Sequence, residues 1–246
     1  VTGVQTCALP IFDAGNGMGG YTVPVVLKGL PLEIIEMYFE LDGSFPNHEA
    51  NPIDPANLVD LQKAVVDHGA DIGLAFDGDA DRCFVVDEQG GIVSPSTLTA
   101  LIAKRELDKH PGSTIIHNLI TSWSVAEVVR ENGGIPVRTR VGHSFIKATM
   151  AETNAVFGGE HSGHFYFRDF WRADSGMLAA LQPLVARVPK ALSRNQILEA
   201  HAFHESTVQA LTPAKLYRDV LAVVYKRLAE ERSEEHTSEL QSRETI

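Results

Sequence analysis

Residues 70–82 read ADIGLAFDGDADR. The apolar run Ile72–Phe76 has the length and composition of a buried strand. It stops at three aspartates, Asp77, Asp79 and Asp81, spaced by the small residues Gly78 and Ala80 and followed by Arg82. Proteins of α/β type bind ligands at the carboxyl ends of their strands, so this loop is a candidate site. Three carboxylates so close together repel one another unless a cation neutralises them. An all-oxygen donor set favours Mg²⁺ or Ca²⁺ over zinc. Arg82 adjoins the loop and could grip a phosphate through its guanidinium fork.

Taken alone, the loop admits other readings. A solvated acidic turn is common. A calcium loop of EF-hand type gains Glu88 at the twelfth position from Asp77, but its sixth position is Arg82 rather than Gly, and strand-like runs flank it. An aspartyl-phosphate phosphatase of haloacid-dehalogenase type would use Asp77 as nucleophile. Its expected threonine position is Asp81 here.

Outward from the loop, apolar runs alternate with helical patterns. Strands are expected at 12–14, 33–40, 72–76, 83–87, 114–118, 135–139 and 155–157. Helices are expected at 21–30, 57–68, 96–107, 125–131 and 144–152, the second closed by Gly69. Residues 41–57 read as a long loop, and 185–231 as helical, with Thr212 as a cap before Pro213. The expected fold class is α/β: two consecutive three-layer α/β/α domains with mixed, mostly parallel sheets, divided near 93/94. No internal repeat is visible in the residues.

The chain has 246 residues, 44% of them apolar and 22% charged, with a formal net charge of −11. That composition supports a packed core and argues against disorder. No run of 18 apolar residues offers a membrane span. The acidic balance argues against nucleic acid as the main partner. Two cysteines, Cys7 and Cys83, make no disulfide scaffold, and a cytoplasmic location is expected.

Both ends read as foreign. Residues 1–11 (VTGVQTCALPI) and 232–242 (RSEEHTSELQS) can be encoded by opposite strands of one oligonucleotide that resembles a sequencing adapter. Residues 1–11 and 232–246 are therefore expected to be non-native. Between them lie a first domain at 12–93, a second at 94–205 and an unmatched helical tail at 206–231.

Two further stretches carry chemistry. GGEHSGH at 158–164 gathers Glu160, His161, Ser162 and His164 on one glycine-flexed loop, a mixture of donors and acceptors suited to adjacent sugar hydroxyls. His161 and His164 have a spacing compatible with zinc, but no third ligand is evident. TRVGHSFIK at 139–147 places His143 at a helix start, where it could meet a phosphate, with Lys147 one turn on. GNGMGG at 15–20 lacks dinucleotide-loop spacing and reads as a strand-to-helix turn, and Asp13 before it as structural.

In this order the motifs DAGNGMGG (13–20), DGSFPNHEANP (42–52), ADIGLAFDGDADR, VGHSFIK (141–147) and GGEHSGHFYFRDF (158–170) resemble the α-D-phosphohexomutase superfamily, and within it the bacterial phosphomannomutase/phosphoglucomutase group. The resemblance runs from about residue 12 to residue 184. It implies a four-domain enzyme that moves phosphate between the 1- and 6-hydroxyls of a hexose through a phosphoserine and a bisphosphate intermediate. It further implies Mg²⁺ on Asp77, Asp79 and Asp81, a catalytic role for Arg82, and a phosphorylated hexose held by Glu160, Ser162, His164 and His143. The family's serine loop and its C-terminal phosphate-binding loop have no counterpart in this sequence. The chain therefore corresponds to the second and third domains and is expected to be inactive by itself. The rivals are the phosphatase above and a non-catalytic divalent-metal or sugar-binding module.

Overall fold

The computed structural model describes residues 8–28, 30 and 32–187. Within them the chain runs β1 (Pro10–Asp13), α1 (Gly19–Val26), β2 (Ile35–Met37), α2 (Val59–His68), β3 (Ile72–Phe76), β4 (Cys83–Asp87), β5 (Ile92–Val93) and α3 (Pro95–Lys109). It continues β6 (Thr114–Asn118), α4 (Trp123–Glu131), β7 (Ile135–Thr139), α5 (His143–Thr153), β8 (Phe157–Gly159), β9 (Phe165–Phe167), β10 (Ala173–Asp174) and α6 (Gly176–Arg187). The strands form two five-stranded sheets, ordered β2-β1-β3-β4-β5 and β10-β9-β8-β6-β7.

The two sheets share one topology. In each, the first strand pairs in parallel with the second and third, and the third, fourth and fifth pair antiparallel in succession. Helical crossovers impose the parallel pairs and short hairpins the antiparallel ones. The sheets are mixed, as expected, but not mostly parallel: the pairings divide equally, because each sheet closes with two antiparallel pairs between short, sequential strands. The repeat lies in the topology and leaves no trace in residue identities.

Both faces of the first sheet are covered, which explains why β3 is a continuous apolar run. Ile72, Leu74 and Phe76 share one cluster with Leu98 and Ile102 of α3, Phe157 of β8 and Leu181 of α6. Ala75 faces the opposite cluster with Leu61 and Val65 of α2. The helices that follow each sheet cross over: α3 packs on β8, and α6 on β3 and β4. The two sheets therefore share a core. Helix α2 ends as its sequence requires, with Gly69 at φ 61° and the Ala70 N–H donating to the Val65 carbonyl.

Several expectations shift. Strand β1 begins at Pro10, two residues before Phe12, because the apolar Ile11 completes the register against Ile35 and Gly73. Helix α1 starts at Gly19 and stops at Val26 instead of running from residue 21 to 30; the Leu30 N–H closes a tighter turn on the Leu27 carbonyl, and Leu30 precedes a proline, which disfavours helical backbone there. Strand β2 is shorter than expected, at three residues. Strand β8 starts at Phe157 and runs into its two glycines. Strands β9 and β10 were not expected, being only three and two residues long. Residues 1–7 and 188–246 lie outside the described residues, and with them the end of the expected second domain at 188–205, all but the first three residues of the stretch expected to be helical at 185–231, Thr212, and 232–246. Among the described residues no helix is long and apolar enough to cross a membrane.

Candidate functional site

The loop between β3 and β4 is a tight turn. The Ala80 N–H donates to the Asp77 carbonyl, and Ala80 takes a left-handed φ of 62°. Asp77 is buried. Its Oδ1 accepts the Arg82 backbone N–H at 3.1 Å, and its Oδ2 accepts Arg82 Nε at 2.6 Å. Arg82 Nη1 reaches Asn51 Oδ1 at 3.2 Å, tying the long loop to the turn. Two close approaches fix the turn from outside. The Met18 N–H donates to the Gly78 carbonyl. At the start of α6, a Cβ on Gly176 would lie 2.5 Å from the Arg82 carbonyl oxygen.

Carboxylate oxygens of Asp77, Asp79 and Asp81 lie within 4.8 Å of one another. Burial and the neighbouring Asp77 carboxylate raise the Asp79 pKa. Burial, with Asp77 and Asp79 alongside, pushes Asp81 up to about 8. Asp81 Oδ1 is buried and makes no hydrogen bond; it faces His164 Nε2 at 3.5 Å and Arg82 Nε at 4.0 Å.

The β8–β9 turn stands at the same place in the second sheet. Its Glu160 N–H donates to the His164 carbonyl, and Gly163 takes φ 90°. The Glu160 carboxylate is buried and well satisfied. Oε1 accepts from Asn118 Nδ2 at 3.0 Å and from the Gly142 N–H at 3.3 Å. Oε2 accepts from the Tyr166 hydroxyl at 2.8 Å. Tyr166 is wholly buried, and burial together with that bond holds its hydroxyl proton on. The same hydroxyl lies 3.0 Å from His143 Nδ1. Ser162 Oγ lies 2.8 Å from His164 Nδ1. Burial and the neighbouring His143 lower the His164 pKa.

The two turns meet. Arg82 and His164 form an antiparallel bridge, and the Cys83 N–H donates to the Gly163 carbonyl. Asp77, Asp79, Asp81 and Arg82 therefore border His143, Glu160, Ser162 and His164. Asp174, from β10, completes the group: Oδ2 sits 3.1 Å from His143 Nδ1, and Oδ1 3.2 Å from Lys147 Nζ. His161 is placed apart, with Nδ1 3.1 Å from Ser96 Oγ of α3. Asn51, Asn118, Tyr166 and Asp174 were not singled out by the sequence. Asn118 had a signal, since it closes β6 at the carboxyl end where ligands gather. Tyr166 and Asp174 sit in the short strands that sequence pattern does not resolve.

Asp13 is buried at the end of β1; Oδ1 accepts the Gly15 N–H, and Oδ2 pairs with His48 Nε2 at 3.0 Å. GNGMGG joins β1 to α1 as a strand-to-helix turn.

Comparison with known proteins gives this geometry a family. Residues 10–91 match phosphoglucomutase/phosphomannomutase, alpha/beta/alpha domain II, and residues 94–202 match alpha/beta/alpha domain III. A phosphomannomutase of Salmonella typhimurium is 46% identical over 173 residues, covering 68% of this chain and 38% of that protein. The crystal structure of a phosphoglucomutase/phosphomannomutase family protein from Burkholderia thailandensis superposes with a TM-score of 0.69 at 39% identity, over 73% of this chain and 40% of that one. A more distant likeness, of fold alone, is the Aspergillus fumigatus N-acetylphosphoglucosamine mutase in complex with GlcNAc-6P and magnesium, at 16% identity and a TM-score of 0.55, covering 77% of this chain and 43% of that one. The chain thus spans about two fifths of the length of the first two proteins.

Proposed function

The chain belongs to the phosphoglucomutase/phosphomannomutase family through its alpha/beta/alpha domains II and III, and on that premise we propose that it carries the metal-binding and sugar-binding loops of a phosphohexomutase. The reaction is interconversion of hexose 6-phosphate and hexose 1-phosphate, with mannose or glucose as the sugar. A phosphoserine outside this chain gives its phosphoryl group to the free hydroxyl of the monophosphate. The bisphosphate turns, and its other phosphoryl group returns to the serine. A cytoplasmic location is part of the same reading.

One observation carries the proposal: the backbone bridge between Arg82 and His164 joins an oxygen-rich acidic turn to a turn rich in sugar-type donors and acceptors. The donor set fits Mg²⁺. Asp77, Asp79 and Asp81 are hard oxygen ligands whose mutual repulsion a cation relieves, and Asp81 Oδ1 is a buried acceptor with no hydrogen bond. When bound there, Mg²⁺ supplies charge neutralisation to a phosphoryl group in transfer. Such transfer depends mainly on alignment and electrostatics. Arg82, held by Asp77 and Asn51, presents fixed positive charge beside the turn. Ser162 and His164 lie nearer to solvent than Glu160, whose buried carboxylate orients Tyr166 and the start of α5.

The test is a chimera in which residues 10–187 replace the matching stretch of a full-length bacterial phosphomannomutase. A folded chimera is expected to convert mannose 1-phosphate to mannose 6-phosphate with Mg²⁺, and Asp79→Asn to cut turnover at least a hundredfold. A cooperatively folding chimera that binds the sugar phosphate without turnover, or an acyl-phosphate trapped on Asp77, would overturn the proposal.

A further inference from the structure

Beside the aspartate turn stands a second cluster of a different chemical kind. His143 at the start of α5, His164 in the β8–β9 turn and Asp174 in β10 each offer a ligand atom, and these atoms lie within 4.8 Å of one another. The imidazole rings of His143 and His164 meet edge to face, 4.5 Å between centroids. Asp174 is mostly buried, with Oδ2 3.1 Å from His143 Nδ1, while the His143 side chain is 48% exposed and open to an entering ion. His164 Nε2 also faces Asp81 Oδ1 at 3.5 Å, so the two clusters are direct neighbours.

We propose that His143, His164 and Asp174 form a binding site for a divalent transition metal, with zinc as its best occupant, separate from the aspartate site. Two imidazole nitrogens and one carboxylate oxygen are a donor set that Zn²⁺ prefers and Mg²⁺ does not. Zinc bonds of about 2.0–2.2 Å need only small side-chain rotations from the present separations. The half-exposed His143 can make them, as can Asp174, which exchanges its contact with Lys147 Nζ for the ion. Tyr166, 3.0 Å from His143 Nδ1, limits how the ring turns and offers a hydroxyl just beyond the ligands. The adjacent clusters thereby sort cations by hardness, oxygen donors for one and nitrogen donors for the other. Zinc here fixes two histidines of the candidate sugar site in one geometry. The site itself follows from the three side chains and does not draw on the mutase proposal.

The test is calorimetric titration of the whole chain with ZnCl₂ in excess Mg²⁺, paired with Co²⁺ titration read by visible absorption. One zinc per chain is expected to be lost, or weakened at least tenfold, in His143→Ala and in Asp174→Asn, and to persist within twofold in Asp79→Asn. Co²⁺ is expected to show the intense visible bands of a four- or five-coordinate ion with nitrogen ligands, absent in His143→Ala. Circular dichroism of each variant checks that it folds. Zinc binding indifferent to His143→Ala, zinc binding abolished by Asp79→Asn, or no saturable binding would each overturn the proposal, and none of these results bears on phosphosugar turnover.

Discussion

Replacing Asp81 by Asn removes a carboxylate held against Asp77 and Asp79 while keeping its shape. Burial and those neighbours raise its pKa, so the ionised form is unfavourable in the absence of a cation. Asp81→Asn is therefore expected to stabilise the metal-free chain by about 1 kcal/mol, discounting for solvent on its open side, and to weaken Mg²⁺ binding at least tenfold. Denaturant unfolding and calorimetry measure the two effects, and a loss of stability would contradict the crowding argument. Tyr166→Phe works the other way. It removes the hydroxyl that bonds Glu160 and approaches His143, leaving a buried carboxylate short of one donor. The expected cost is about 1–2 kcal/mol, with weaker sugar-phosphate binding; an unchanged unfolding midpoint would show that the hydroxyl is redundant.

Among elements, the long loop at 41–57 is fastened to β1 by His48 and Asp13. The hydrogen bond to Asp13 pushes the His48 pKa from 6.5 to about 9. A histidine raised in this way adds stability that is complete below its unfolded value and is lost as pH climbs through the folded one. Stability is expected to fall between about pH 6.5 and pH 9, and His48→Gln to flatten that slope; equal slopes in both proteins would assign the pH dependence elsewhere. The start of α6 bears on the aspartate turn in the same direct way. Gly176→Ala puts a Cβ 2.5 Å from the Arg82 carbonyl oxygen, so turn or helix must move. A loss of about 1–3 kcal/mol with weakened Mg²⁺ binding is expected, and a neutral substitution would show that the contact is slack.

These elements also show where the sequence was readable. Strands β3, β4, β6 and β7 have the predicted bounds because each is a five-residue run between clear turn signals. Strand β3 runs straight into Asp77 and β6 ends on Asn118, so the acidic turn is legible in the sequence as a candidate site at a strand's carboxyl end. Strands β9 and β10 are too short to show a period, and with them Tyr166 and Asp174 escaped notice. Helix α1 falls short of its expected end, where Leu30 precedes a proline, a backbone restriction that apolar periodicity passes over. The pairing of Arg82 with Asp77 is local and legible in principle; the meeting of Arg82 with His164 is a product of tertiary structure alone.

At the scale of the whole molecule, two sheets of one topology place their third-to-fourth-strand turns in contact. Exchange of α3 and α6 between the sheets ties those turns to one core, so neither turn is positioned by its own sheet alone. Binding at one turn is therefore expected to be felt at the other, as a coupling between cation and sugar phosphate. The measurement that tests this most directly is titration of the chain with glucose 1,6-bisphosphate, with and without Mg²⁺, repeated in Asp79→Asn and Ser162→Ala. Mg²⁺ is expected to tighten binding at least fivefold in the parent chain, Asp79→Asn to abolish that gain, and Ser162→Ala to weaken binding whether or not the cation is present. Bisphosphate binding that ignores both Mg²⁺ and Ser162 would contradict a shared site built from the two turns.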